Sequence, residues 1–82
     1  MNRIVKKTVL ANNIKRMEIE APLVARKAAP GQFVMLRVAE DGERIPLTLA
    51  GVSPEAGTVT LIFQEVGTTT MKLGALGEGD SV

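Results

Sequence analysis

Two short segments carry residue types suited to holding a charged ligand. Arg44-Ile45-Pro46-Leu47-Thr48-Leu49 reads as a strand bearing a fixed cation, a ring and a hydroxyl. Gln64-Glu65-Val66-Gly67-Thr68-Thr69-Thr70 reads as a strand end, a Gly/Thr turn and the start of a short helix. Arginine presents its donors in a rigid fork that matches phosphate oxygens two at a time. Pro46 has no N–H, so its strand is an edge, a bulge or a place where the ladder opens, and main chain near Leu47 and Thr48 becomes available to a ligand. Gly67 allows backbone to approach a ligand closely, and uncapped N–H groups at a helix start attract phosphate. A cation on one strand and a helix N-terminus after the next could grip a diphosphate between them. Each segment also has a plainer reading. Arg44 suits a solvated surface charge, Thr48 an ordinary β-former, and the threonines a helix cap. The pairing of the two segments is the stronger signal.

Other candidates are weaker. Gln64 and Glu65 face either ligand or solvent, with Glu65 expected in solvent. Met17, Met35 and Met71 are expected to fill the core, and Arg26-Lys27 to lie on the surface.

Composition narrows the function. The 82 residues allow one domain, and a chain this short has little stability to spare. Apolar residues make up 45%, with two Phe and no Trp or Tyr, so the core is aliphatic and β-branched. Ten Lys/Arg balance nine Asp/Glu, which gives no support to nucleic-acid or membrane-surface binding. The absence of Cys and His excludes disulfides, iron–sulfur ligation and the common zinc sites within these residues. No apolar run approaches the ~18 residues of a membrane span, and no signal-peptide pattern follows the N-terminus. A cytoplasmic protein is expected.

The elements that must position these residues follow from periodicity and turn chemistry. Residues 3–11 and 14–20 form a hairpin about Asn12-Asn13, with Lys15, Met17 and Ile19 on one face of its second strand. Ala21-Pro22 starts a short irregular or helical piece over 22–28, closed by Pro30-Gly31. Strands are expected over 32–39 and 44–52, joined by a polar turn at 40–43 with an Asp-Gly pair. Residues 58–66 alternate best of all, with Val59, Leu61 and Phe63 on one face. A helix over 68–76 ends at Gly77-Glu78-Gly79. Each half of the chain therefore runs strand, turn, strand, short helix, glycine turn, strand. Pro30-Gly31-Gln32-Phe33-Val34 in the first half matches Glu78-Gly79-Asp80-Ser81-Val82 in the second, so a sixth strand should begin at Ser81. The expected fold is all-β: a small, closed, six-stranded antiparallel barrel with two short helices and a truncated last strand. The sequence is expected to be a fragment, or to take its last strand from elsewhere.

These motifs resemble the N-terminal flavin-binding barrel of the ferredoxin–NADP reductase superfamily, within the group of dihydroorotate dehydrogenase and sulfide dehydrogenase electron-transfer subunits. Pro30-Gly31-Gln32-Phe33-Val34 looks like the family's third-strand entry. Arg44 to Leu49 looks like its Arg-x-Pro-x-Ser/Thr flavin motif, and Phe63 to Thr70 like its Gly/Thr phosphate motif. The resemblance covers nearly the whole chain, so residues 1–82 are expected to be one FAD-binding β-barrel domain. It implies that Arg44 binds the FAD diphosphate. Pro46, Leu47, Thr48 and Leu49 would line the isoalloxazine edge, with Thr48 near N5. Gly67, Thr69 and Thr70 would hold the diphosphate and ribityl side, and Gln64 and Val66 would pack near the adenosine or ring. It also implies an NAD(P)-binding domain and an iron–sulfur partner, for which these residues have neither the length nor the cysteines.

Two functions follow. The first is the FAD-binding module of an electron-transferring oxidoreductase that passes electrons between NAD(P)H, flavin and an iron–sulfur partner, inactive by itself. The second is an excised or redesigned barrel without cofactor, assembling through its open edge as a homodimer or larger homo-oligomer.

Overall fold

The computed structural model describes residues 2–38 and 42–82. Among the described residues five strands and two helices follow one another as β1 (Ile4–Ala11), β2 (Ile14–Glu20), α1 (Pro22–Lys27), β3 (Phe33–Arg37), β4 (Arg44–Ser53), β5 (Thr58–Gln64) and α2 (Thr68–Ala75). All strand pairings are antiparallel, in the order β1-β2-β5-β4-β3. The polar turn expected at 40–43 lies largely outside the described residues.

Alternation sets which side of each strand is buried. Lys15, Met17 and Ile19 of β2 point inward, as do Val59, Leu61 and Phe63 of β5. The apolar members of this set join Ile4, Leu36, Leu49, Ala25 and Leu73 in one core, with Lys15 buried at its side. Two expected core methionines are not in it: Met35 is 56% exposed and Met71 60%. Met35 falls on the outward parity of β3, and Met71 on the outer side of α2, so position overrides side-chain type.

The internal repeat is visible in the hydrogen bonds. The Gly31 N–H donates to the Leu49 carbonyl (3.0 Å) and the Leu49 N–H to the Gln32 carbonyl (2.7 Å). In the other half the Gly79 N–H donates to the Ile4 carbonyl (2.9 Å) and the Ile4 N–H to the Asp80 carbonyl (2.7 Å). Each turn is closed by a side-chain oxygen, Gln32 Oε1 on the Ala29 N–H (2.9 Å) and Asp80 Oδ2 on the Gly77 N–H (2.8 Å). Gly31 and Gly79 have φ of 94° and 91°, a region where side chains with a Cβ are strained.

Ser81 bridges Arg3, and Asn2 and Val82 exchange two bonds of 2.8 Å. A sixth strand thus starts on the outer edge of β1, where the repeat puts it. The barrel is nevertheless not closed: among the described residues no pairing joins 79–82 to β3. A single bridge is too short to cross from β1 to the far edge of the sheet. The gap is an apolar cavity of about 140 Å³ whose lining includes Val34, Leu36, Ile19 and Val82.

Candidate anion-binding site

β4 changes partner along its length. Arg44 to Thr48 pair with β3, while Leu49 to Ser53 include the pairing with β5, with a register shift between Leu49 and Gly51. Before Leu49, β4 has no β5 partner; after Leu61, β5 has no β4 partner. Because the strands are antiparallel, both unaccompanied stretches leave the shared ladder in the same direction. They form a fork, with Arg44 to Thr48 on one arm and Gln64 leading into Gly67 on the other. Pro46 sits on the first arm, where the ladder opens as the missing N–H suggested.

The outward parity of this arm is Arg44, Pro46 and Thr48, all exposed, with Leu47 half-buried on the other face. Leu49 is 1% exposed, and both its backbone groups are already bonded to the Gly31-Gln32 turn. It anchors the arm in the core rather than presenting a side chain to the fork. Cross-strand pairs share a face, so Phe33 lies beside Thr48, Met35 beside Pro46 and Arg37 beside Arg44. All three β3 residues are exposed. Reading the sequence alone missed this row, although the alternation of β3 and an antiparallel hairpin would have supplied it.

On the other arm, α2 begins at Gly67, which has no side chain to cap with, and no side-chain cap bond is made. The N–H groups of the first turn have no partner within a helix, and no acidic residue occupies that turn. The Thr70 hydroxyl tightens the approach. It accepts from the Val66 and Gly67 N–H groups (both 3.0 Å) and donates to the Gly67 carbonyl (3.0 Å). Val66 is 74% exposed and Gln64 is exposed, while Thr69 is half-buried. The fork thus offers a guanidinium, a helix start and apolar surface at one end of the sheet.

Glu65 departs from the solvent exposure expected of it. Its carboxylate accepts from Lys15 Nζ at 2.7 Å, and the two side chains are only 17% and 11% exposed. Lys15 also donates to the Asn12 carbonyl (3.3 Å). The Glu65 carboxylate lies where a Cβ on Gly74 would stand, and Lys7 Nζ donates to the Gly74 carbonyl (2.7 Å). The signal was in the sequence. Lys15 shares a face with Met17 and Ile19, and a buried ammonium requires an acidic partner.

The chain matches no protein-family model. It is 55% identical over 82 residues to a Clostridium beijerinckii protein known as an uncharacterized protein in the adh 3' region, matching all of this chain and 28% of that one. It is 44% identical to a Thermotoga maritima protein named as a homolog of the dihydroorotate dehydrogenase B (NAD(+)) electron transfer subunit, over 100% of this chain and 29% of that one. The electron transfer subunit itself, from Shouchella clausii, is 35% identical over 96% of this chain and 32% of the relative. A chain from the structure of the NADH-dependent reduced ferredoxin-NADP oxidoreductase, solved for insight into flavin-based electron bifurcation, superposes with a TM-score of 0.94 at 44% identity. That match covers 99% of this chain and 29% of the other.

Over its length the chain resembles the flavin-binding barrel of the ferredoxin–NADP reductase superfamily.

It has the superfamily's flavin-domain fold, all-β with two short helices and an open sheet. The chain spans less than a third of the length of these curated relatives. No helix among the described residues is long and apolar enough to cross a membrane.

Proposed function

We propose that the chain is the FAD-binding module of an electron-transferring flavoprotein oxidoreductase. The observation that carries this reading is the fork, which sets Arg44 and the start of α2, where Gly67 offers no side chain to the first-turn N–H groups, at the same end of the sheet. The donor set fits the cofactor. The Arg44 guanidinium and the first-turn N–H groups of α2 suit the two phosphates. The exposed Pro46 and Thr48, with the backbone around Leu47, suit a flat ring with polar edges. Gly67, Thr69 and Thr70 hold the diphosphate and ribityl side, Thr70 by fixing the turn, and Gln64 and Val66 border the adenosine or ring. Leu49 contributes from within the core, by fixing the arm. FAD, when bound, supplies hydride and single-electron chemistry; the protein's part is to bind, orient and shield it.

Two of the relatives are named as an electron transfer subunit or its homolog. In the complete protein this module is accordingly proposed to work with an NAD(P)-binding domain and an iron–sulfur partner subunit. High identity to natural proteins along the whole chain favours this reading over a redesigned barrel without cofactor. The open edge still offers a route to a homodimer.

Titrating the 82-residue chain into FAD and following flavin fluorescence tests the reading. Saturable quenching that Arg44→Ala weakens is expected. Quenching absent from the wild-type chain, or indifferent to Arg44, would overturn it.

A further inference from the structure

The register of the β3–β4 hairpin places a second arginine where the sequence motifs had only one. Arg37, the last residue of β3, is the direct cross-strand partner of Arg44. Both are exposed and share the outward parity of Met35 with Pro46 and Phe33 with Thr48, and Arg37 and Met35, on the edge strand, also border the cavity at the open seam. Directly opposed residues on one face have Cβ atoms ~4.5–5.5 Å apart, and like charges so placed repel. Such a pair costs the hairpin stability unless an anion lies between the two guanidinium groups. A diphosphate has two charged groups about as far apart as two such forks can reach, and each fork can hold one phosphate through paired N–H bonds. The row below them is apolar and flat, ending at Thr48. One face thus sets two guanidinium groups beside an apolar body, the complement of a molecule with a diphosphate at one end and a planar ring at the other. The sequence that joins the two arginines carries Glu40, Asp41 and Glu43, carboxylates with which a bound diphosphate has to compete.

We propose that Arg37 is a second diphosphate-binding residue, and that the Arg37–Arg44 pair selects a dinucleotide flavin over one with a single phosphate or none. This rests on the FAD reading for the identity of the ring but not for the anion. Arg44 binds from the arm that opens toward α2, and Arg37 closes the other side. A single phosphate engages one fork and leaves the repulsion of the other in place. A diphosphate neutralises both.

Binding of FAD, riboflavin and inorganic diphosphate to the full 82-residue chain tests this, using wild type, Arg37→Gln and Arg37→Lys. Arg37→Gln should weaken FAD and diphosphate by about tenfold, the effect of one charge-assisted bond, and leave riboflavin unchanged. Arg37→Lys keeps the charge without the fork and should fall between, which also covers the case that Arg37→Gln fails to fold. Without ligand, Arg37→Gln should melt at or above the wild-type temperature, because the repulsion is gone. Wild-type affinity for FAD and diphosphate in both variants, or riboflavin weakened as much as FAD, overturns the assignment. If diphosphate binds through Arg37 but FAD does not bind, the assignment stands and the flavin reading fails. If wild type binds neither, both fall.

Discussion

Arg44 is exposed at the start of β4 on the arm that parts from β5. Its replacement by Ala should weaken FAD binding by ~1.5–3 kcal/mol, the range for a hydrogen bond to a charged group. Lys27→Ala, on the exposed end of α1, should change it negligibly. Equal losses in fluorescence titrations of the two variants would refute the site. Thr70 acts differently, through the backbone it holds. Thr70→Val removes the acceptor shared by the Val66 and Gly67 N–H groups, while Thr70→Ser keeps it. Urea denaturation should show Val less stable by about 1 kcal/mol, as for a lost cap, and Ser near wild type. At this scale the sequence was informative where parity decides the outcome. Arg44, Pro46 and Thr48 share one face because they alternate. Glu65 and Met35 were legible only in combination: the inward parity of Lys15 called for an acidic partner without saying which, and the alternation of β3 put Met35 outward, while the side chain of Met71 suits core and surface alike.

The Lys15–Glu65 pair ties α2 to the sheet, since it joins the second strand to the residue just before the helix turn. Gly74 belongs to the same arrangement. An interior helical Gly→Ala change ordinarily stabilises by about 1 kcal/mol. Here the added methyl would overlap the Glu65 carboxylate, so Gly74→Ala should destabilise instead, and a chemical-denaturation midpoint below wild type would show it. Glu65→Ala strands a buried ammonium and should cost about 3–5 kcal/mol. Adding Lys15→Met to it should restore part of that loss, and a fully additive double mutant would deny the coupling. Element types and order were legible because hairpin, proline and glycine signals agree with the hydrophobic period. Boundaries were not. The strand expected to reach 66 ends at Gln64, because Glu65 turns in toward Lys15 and the chain then enters the Thr70-bonded turn. Partner switching by β4 was foreshadowed only by Pro46.

For the molecule as a whole, the open seam dominates. β3 carries a ladder on one side only, and the start of a sixth strand on β1 does not reach it. Unpaired edges beside an apolar cavity favour pairing with another chain, so the 82-residue chain should run as a homodimer or larger. Light scattering at micromolar concentration showing a ~9 kDa particle with a cooperative melt would show a self-sufficient monomer instead. Mixed with NADH and FAD, it should oxidise NADH no faster than free flavin, and saturable turnover would contradict the module reading. The two halves of the fold also differ in one telling place. Ile19 and Phe63 are equivalent inward residues at the ends of β2 and β5, and Ala25 and Leu73 are equivalent buried residues in the helices, both 0% exposed. Six positions separate the first pair of landmarks in the chain and ten separate them in the second. The surplus falls on the stretch from Glu65 to Thr69, and where the second helix reaches Thr70 the first has Pro22, which lacks both the N–H and the hydroxyl. If the two halves descend from a duplicated ancestor, the stretch from Glu65 to Thr69 was gained by one copy or lost from the other. The scaffold and its specificity could then evolve on separate accounts of sequence, the loop being rewritten for a new ligand without disturbing the strands beneath it.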